Sequence, residues 1–115
     1  MTRGRILVVD DEPSIREMVS ILLEGENFDV TTAESVAEGR VALDKGRFAV
    51  VMCDLKLPDG TGLEVLRHGR SLADPPPFII ITAHTTPQHA LEALRAGPAE
   101  YLSKPFDVDE LKMIL

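Results

Sequence analysis

Apolar residues come in short unbroken runs separated by amphipathic stretches. "ILVV" at 6–9, "AVVMC" at 49–53 and "FIII" at 78–81 are apolar at every position. Runs of this kind suit strands covered on both faces, the situation of central strands in a parallel sheet. Together with two weaker runs they predict strands at 5–10, 28–32, 49–54, 78–82 and 100–104, each near the usual length of about five or six residues. Between the strands the spacing turns helical. After Pro13, the residues Ile15, Met18, Val19, Leu22 and Leu23 recur at i, i+3, i+4, i+7 and i+8, one stripe on a helix. The segment 35–45 predicts a second helix with a thinner face of Val36, Ala37, Val41 and Leu43, interrupted by Gly39. Thr61 with Glu64, and Asp107 with Glu110, have the spacing of capping boxes, and Thr86-Pro87 opens a helix that Gly97-Pro98 closes. The last helix runs barely two turns to Leu115 and reads as cut short, so Leu111, Ile114 and Leu115 are expected to lack part of their packing partners.

Strands alternating with helices imply right-handed crossovers and an open, doubly wound α/β parallel sheet with helices on both faces. No repeat, low-complexity tract or linker divides the chain, so residues 1–115 are expected to form one domain. Ligands of such sheets bind beyond the carboxyl ends of the strands. Composition narrows the ligand. With 12 Lys and Arg against 19 Asp and Glu, the net charge is -7, which argues against direct nucleic-acid binding. The lone Cys53 forms no internal disulfide, and the N-terminus lacks the apolar stretch of a signal peptide or membrane span. A cytoplasmic protein with no membrane partner is expected.

The strand ends carry the chemistry. Asp10, Asp54, Thr82 and Lys104 close the first, third, fourth and fifth predicted strands, so all four share one sheet edge. The first strand leaves through Asp10, Asp11 and Glu12, and like charges so close repel one another unless a cation sits among them. Asp10, Asp11 and Asp54 are expected to converge there, with Lys104 the main neutralising side chain. An oxygen-only set of this kind suits Mg²⁺. A metal among carboxylates, beside a lysine and a threonine hydroxyl, points to phosphoryl transfer. Asp54 is the natural nucleophile; Lys104 screens its charge and Thr82 can hydrogen-bond a phosphoryl oxygen.

Plainer readings exist for each residue alone. Asp10 and Asp11 can cap a helix, Thr82 is an ordinary β-branched strand residue, and Tyr101 can simply pack its ring. His68, His84 and His89 lack a metal-ligand spacing, and His68 and His89 read as surface residues. Cys53 reads as core packing beside Asp54. The shared edge of Asp10, Asp54, Thr82 and Lys104 is what favours chemistry over these readings. Other functions remain open at this point. A Mg²⁺-dependent phosphatase would want an acid two residues after its nucleophile, where this chain has Lys56; a flavin-mononucleotide carrier would want a hydroxyl-rich loop where it has "DDEPS". A scaffold that never meets phosphate would not need the four strand-end residues.

"ILVVDDEPSIRE", "VVMCDLKLPDGTGLEVL", "IIITAHT" and "EYLSKPFDVDEL" resemble the receiver domain of two-component response regulators, and the match runs over nearly the whole chain. The resemblance implies a flavodoxin-like sheet of strand order 2-1-3-4-5. It implies that a histidine kinase phosphorylates Asp54, with Mg²⁺ held by Asp11, Asp54 and the Lys56 backbone carbonyl, and by Asp10 through water. Lys104 would pair with the phosphoryl group, Thr82 and Tyr101 would form a switch pair, and Lys56 and His84 would tune the phosphoryl lifetime. A cis peptide is implied before Pro105. Such a domain is a signalling module with phosphotransfer and autodephosphorylation activity only, not an enzyme acting on a substrate pool. Phosphorylation would shift a pre-existing equilibrium at the face made by the fourth helix, fifth strand and fifth helix, and would favour a homodimer. The segment "ITAHTTPQHALEALRAGPAEYLSKPFDVDEL" is similar to receivers of the NtrC type, which usually precede an ATPase and a DNA-binding output domain; Pro98 departs from the alanine common there. Transcription regulation through an output domain outside these residues is the expected readout.

Overall fold

In chain order the elements are β1 (Arg5–Val9), α1 (Pro13–Gly25), β2 (Asp29–Ala33), α2 (Val36–Lys45), β3 (Val50–Asp54), the two-residue strands β4 (Lys56–Leu57) and β5 (Gly60–Thr61), α3 (Gly62–Arg70), β6 (Phe78–Thr82), β7 (Glu100–Ser103) and α4 (Val108–Ile114). The structure, a computed structural model, describes residues 2–83, 95, 97, 100–104 and 106–115. Most of the helix expected at 86–97 lies outside these residues, as do His84, His89, Pro98 and Pro105.

Five strands pair in parallel in the order β2-β1-β3-β6-β7. Counted within that sheet alone, this is the 2-1-3-4-5 order the resemblance implied. The strand period of two sorts the apolar runs onto two faces. Ile6, Val8, Met52, Ile79, Ile81 and Leu102 pack with Val19 and Leu23 of α1 and Leu111 of α4. Leu7, Val9, Val51, Cys53, Phe78 and Ile80 pack on the other face with Val36 and Leu43 of α2 and Leu63, Val65 and Leu66 of α3. Both faces are therefore dry, which is why these strands have no polar alternation to read.

Local chemistry sets the helix starts. Ser35 Oγ accepts the Glu38 N–H at 3.1 Å, and Asp107 Oδ1 accepts the Glu110 N–H at 2.8 Å. At the start of α3 the Thr61 N–H donates to Glu64 Oε2 at 2.9 Å. Helix α1 begins at Pro13, after a Glu12 N-cap that makes no side-chain capping bond. Proline there needs no N–H partner and already has a helical φ.

Three expectations are corrected. Strand β2 sits one residue later than predicted, because Ala33 pairs with Val9 while Phe28 turns into the apolar cluster under α1. Helix α2 buries Val36, Gly39 and Leu43, leaving Ala37 exposed and Val41 49% exposed; the stripe passes through Gly39, which lies against Val9 and Val65. Leu111 does not lack partners: it is fully buried, and Leu115 packs half-buried against the same cluster.

One glycine is required by close approach. A Cβ on Gly62 would lie 2.3 Å from the Asp54 carbonyl oxygen and 3.1 Å from Cys53 Sγ. The Gly62 N–H meanwhile donates to the Leu55 carbonyl at 2.8 Å, so the two segments cannot simply part. Gly62→Ala is expected to destabilise the fold by about 3 kcal/mol, the upper part of the range for overpacking, because backbone rather than a flexible side chain must give way. Urea denaturation checks this, and a loss near zero would show that the turn after β3 yields freely.

Candidate functional site

Every βα crossover leaves the sheet at the same edge, so parallel strands gather their C-terminal residues there. Asp10 follows β1, Asp54 closes β3, Thr82 closes β6 and Lys104 follows β7. They border a cleft of about 290 Å³ lined by Asp11, Glu12, Asp54, Lys56, Thr82 and Lys104 among others. Asp10 is fully buried, Asp54 is 5% exposed and Thr82 is 2% exposed.

Burying carboxylates is costly without a partner, and here the partner is Lys104. Its Nζ donates to Asp10 Oδ2 at 2.8 Å, to Asp54 Oδ2 at 3.0 Å and to Glu12 Oε1 at 3.3 Å. The second oxygens of the two buried carboxylates are also engaged: Asp10 Oδ1 accepts the Glu12 N–H at 2.9 Å and Asp54 Oδ1 accepts the Lys56 N–H at 3.1 Å. Among the described residues no buried side-chain nitrogen or oxygen lacks a partner.

The cluster perturbs its own titration. Burial pushes the Asp54 carboxyl above the usual carboxylate range; hydrogen bonds from Lys104 and Lys56 and the Lys104 charge pull it back without cancelling the rise, and the Asp10 charge adds to it. Burial acts against the charge of Lys104, but hydrogen bonds and attraction from Asp10 and Asp54 outweigh it and push the ammonium above its ordinary value. Cys53 lies fully buried, donates its thiol to the Asp54 carbonyl at 3.3 Å, and is pushed well above the thiol range by burial and by the charges of Asp54 and Asp10. It is packing, not a nucleophile.

The carboxylates that converge are not quite the expected ones. Oxygens of Asp10, Glu12 and Asp54 lie within 4.8 Å of one another. Asp11 lines the cleft and is exposed. The turn after β1 folds Asp10 inward, so its neighbour points to the cleft mouth and Glu12 comes back over Lys104. Glu12 stood in the acidic run and could have been found there; Arg16, which donates from α1 to the Asp10 carbonyl at 2.7 Å, could not, because its partner is backbone. Tyr101 is half-buried on β7, in register with Ile80 and packed on the α2/α3 side of the sheet. Thr82 sits one strand over, its carbonyl accepting the Lys104 N–H at 2.8 Å. His68 is partly buried rather than purely superficial, with Nε2 2.7 Å from Asp44 Oδ1 between α3 and α2.

The family profile of the response regulator receiver domain matches residues 6–115. The chain belongs to that family. This receiver is 39% identical over 111 residues to the alginate biosynthesis transcriptional regulatory protein AlgB of Pseudomonas putida, covering 96% of this chain and 25% of AlgB. The chain thus spans about a quarter of that relative's length. A CheY-like receiver domain of Methanospirillum hungatei superposes with a TM-score of 0.90 at 30% identity, covering 96% of this chain and 88% of that one. The receiver domain of the sensor histidine kinase PA1611 from Pseudomonas aeruginosa, solved with a magnesium ion coordinated in its active-site cleft, superposes at 0.88 with 26% identity, covering 96% and 93%. This receiver therefore has the signalling role of its domain family, with transcriptional regulators among its relatives. Among its described residues no helix is long and apolar enough to cross a membrane.

Proposed function

We propose that this receiver takes a phosphoryl group onto Asp54 from the phosphohistidine of a histidine kinase, in a Mg²⁺-dependent step, and thereby switches an output domain that controls transcription. The observation that carries this reading is the Asp54 carboxylate on the cleft wall with Lys104 Nζ 3.0 Å from Oδ2 and the Lys56 N–H 3.1 Å from Oδ1. The acceptor is thus held by both oxygens in one orientation, and positioning is most of what phosphoryl transfer asks of a protein.

The residues fit magnesium: Asp11, Asp54 and Lys56 line one cleft and can offer it carboxylate and carbonyl oxygens, in an acidic setting where oxygens of Asp10, Glu12 and Asp54 lie within 4.8 Å of one another. Asp11, Asp54 and the Lys56 carbonyl would hold the ion directly, and Asp10 through water. When bound, Mg²⁺ offsets the charge of the carboxylates and of the incoming phosphoryl oxygens. An Asp54 oxygen then forms a bond to phosphorus as the bond to the imidazole nitrogen breaks, and the freed imidazole takes up a proton. Lys104 moves its ammonium from the carboxylates toward a phosphoryl oxygen, and the Thr82 hydroxyl donates to another. Tyr101, on the neighbouring strand, follows Thr82 inward, which alters the face carried by β7 and α4. Lys56 at the cleft wall, and His84, set how fast water removes the group again. The setting is cytoplasmic, the output an ATPase and DNA-binding unit of the NtrC type, and the phosphorylated form a homodimer.

Acetyl phosphate tests the chemistry without the kinase. With Mg²⁺ the protein is expected to gain one alkali-labile acyl phosphate, mapped to Asp54 by trapping with hydroxylamine and mass spectrometry. With a chelator in place of the metal it should gain none. Labelling that ignores the chelator, or maps to another residue, overturns the proposal.

A further inference from the structure

We infer that the connection from β2 into α2, residues 33–37, is a shared anchor for both acidic loops, with Arg16 and Asp59 as its positioning residues. This inference rests on the reading of Asp54 as a Mg²⁺-assisted acceptor.

The two loops are independent in sequence but meet the same five residues. On the β1 side, the Asp10 N–H donates to the Ala33 carbonyl at 3.0 Å. The Arg16 guanidinium then bridges the same loops, Nη1 donating to the Asp10 carbonyl at 2.7 Å and Nη2 lying 3.4 Å from Glu34 Oε2. On the β3 side, Asp59 spends both carboxylate oxygens on the start of α2: Oδ1 accepts the Val36 N–H at 2.7 Å and Oδ2 the Ala37 N–H at 3.0 Å. These are two of the N–H groups that a helix start leaves without partners, and an anion is favoured there. Asp59 lies in the two-residue loop of the β4–β5 hairpin, whose first residue, Lys56, donates to Asp54. Fixing Asp59 therefore fixes the hairpin, and the hairpin fixes the Lys56 backbone beside the acceptor.

Neither Arg16 nor Asp59 belongs to the converging carboxylates, so neither need touch metal or phosphate. Their part is to hold Asp10 and Lys56 in place, and groups that orient metal ligands typically matter about 10- to 100-fold in affinity. The measurement is Mg²⁺ binding by isothermal titration calorimetry, at a temperature where circular dichroism shows each variant folded. Arg16→Ala and Asp59→Ala are each expected to weaken Mg²⁺ binding about ten-fold. Arg16→Lys, a point charge without the fork, and Asp59→Asn, which keeps one acceptor oxygen, should fall between them and the parent. Asp59→Asn also keeps a good helix cap, so the test survives if the alanine variant fails to fold. Glu38→Ala, an exposed substitution on the first turn of the same helix, controls for loss of stability alone and should bind like the parent. Parental affinity in folded Arg16 or Asp59 variants overturns the anchor while leaving the acceptor reading intact. A parent protein that binds no Mg²⁺ takes both down.

Discussion

Lys104→Ala is expected to lose about 3 kcal/mol of stability at neutral pH in the absence of divalent metal, the lower end of the range for stripping one partner from a buried ion pair. The Lys104 side chain is 8% exposed and its ammonium is the hydrogen-bond partner of three carboxylates, one of them fully buried. Removing it leaves Asp10 and Asp54 facing each other with no cation between them, and the cost is the uncompensated charge rather than the lost bonds. The figure stays at the lower end because the cleft is open and water screens what remains. A second substitution identifies the cause. If repulsion is responsible, Lys104→Ala combined with Asp54→Asn should recover much of the loss, whereas two independent packing defects would add. Guanidinium denaturation of the two single variants and the double variant measures the coupling. A loss no larger than about 0.5 kcal/mol, as for an ordinary surface substitution, would mean that Lys104 does not balance the cluster. The same variant should accept phosphate from acetyl phosphate far more slowly, since the screening of Asp54 goes with it.

The edge that Lys104 closes was readable because its members sit at strand ends, and strand ends follow from runs such as "ILVV" and "FIII" that have no helical alternative of the right length. Doubly covered strands are local statements about burial, and the βα alternation then forces Asp10, Asp54, Thr82 and Lys104 to one side. Features set by the direction of the backbone in the loops were not readable. Of the three adjacent acids only Asp10 is buried, and Glu12 joins Asp10 and Asp54 from the exposed side through its bond to Lys104. The β4–β5 hairpin spans only Lys56–Leu57 and Gly60–Thr61, too short to leave a period. Arg16 binds a carbonyl, which every residue has, and Asp59 caps a helix 22 and 23 residues before it. Sequence spacing identifies a cap three residues away; it has no means of finding one that arrives from another loop. The expected face of α2 was half right for a related reason: Val36 and Leu43 are buried, but the stripe between them runs through Gly39, which contributes no side chain yet lies against Val9 and Val65.

Asp54→Asn is expected to change two things in opposite directions. It should abolish labelling by acetyl phosphate, because an amide oxygen is a far poorer nucleophile than a carboxylate and the nitrogen cannot stand in for it. In the presence of a chelator it should also make the protein more stable than the parent at pH 7. The sign follows from the raised titration of Asp54, in which burial outweighs the help from Lys104 and Lys56. A carboxyl that titrates higher folded than unfolded favours the protonated form in the native state. Its favourable contribution is complete below the unfolded value of about 4 and is lost as pH rises through the higher folded value. At neutral pH the parent therefore carries a charge that the fold holds less well than water does, and asparagine, which keeps the shape and one acceptor for the Lys56 N–H, does not. Thermal unfolding of both proteins from acid to neutral pH should show curves that coincide at the acid end, separate as pH passes the carboxylate range and run parallel above it, with the asparagine variant the more stable. A gap independent of pH would assign the difference to packing, and a less stable variant at neutral pH would mean that the Lys104 and Lys56 bonds to Asp54 outweigh its burial. Added Mg²⁺ should reverse the order, since only the parent keeps the full set of acidic oxygens for the ion, and that reversal is what ties the strain at Asp54 to its use as an acceptor.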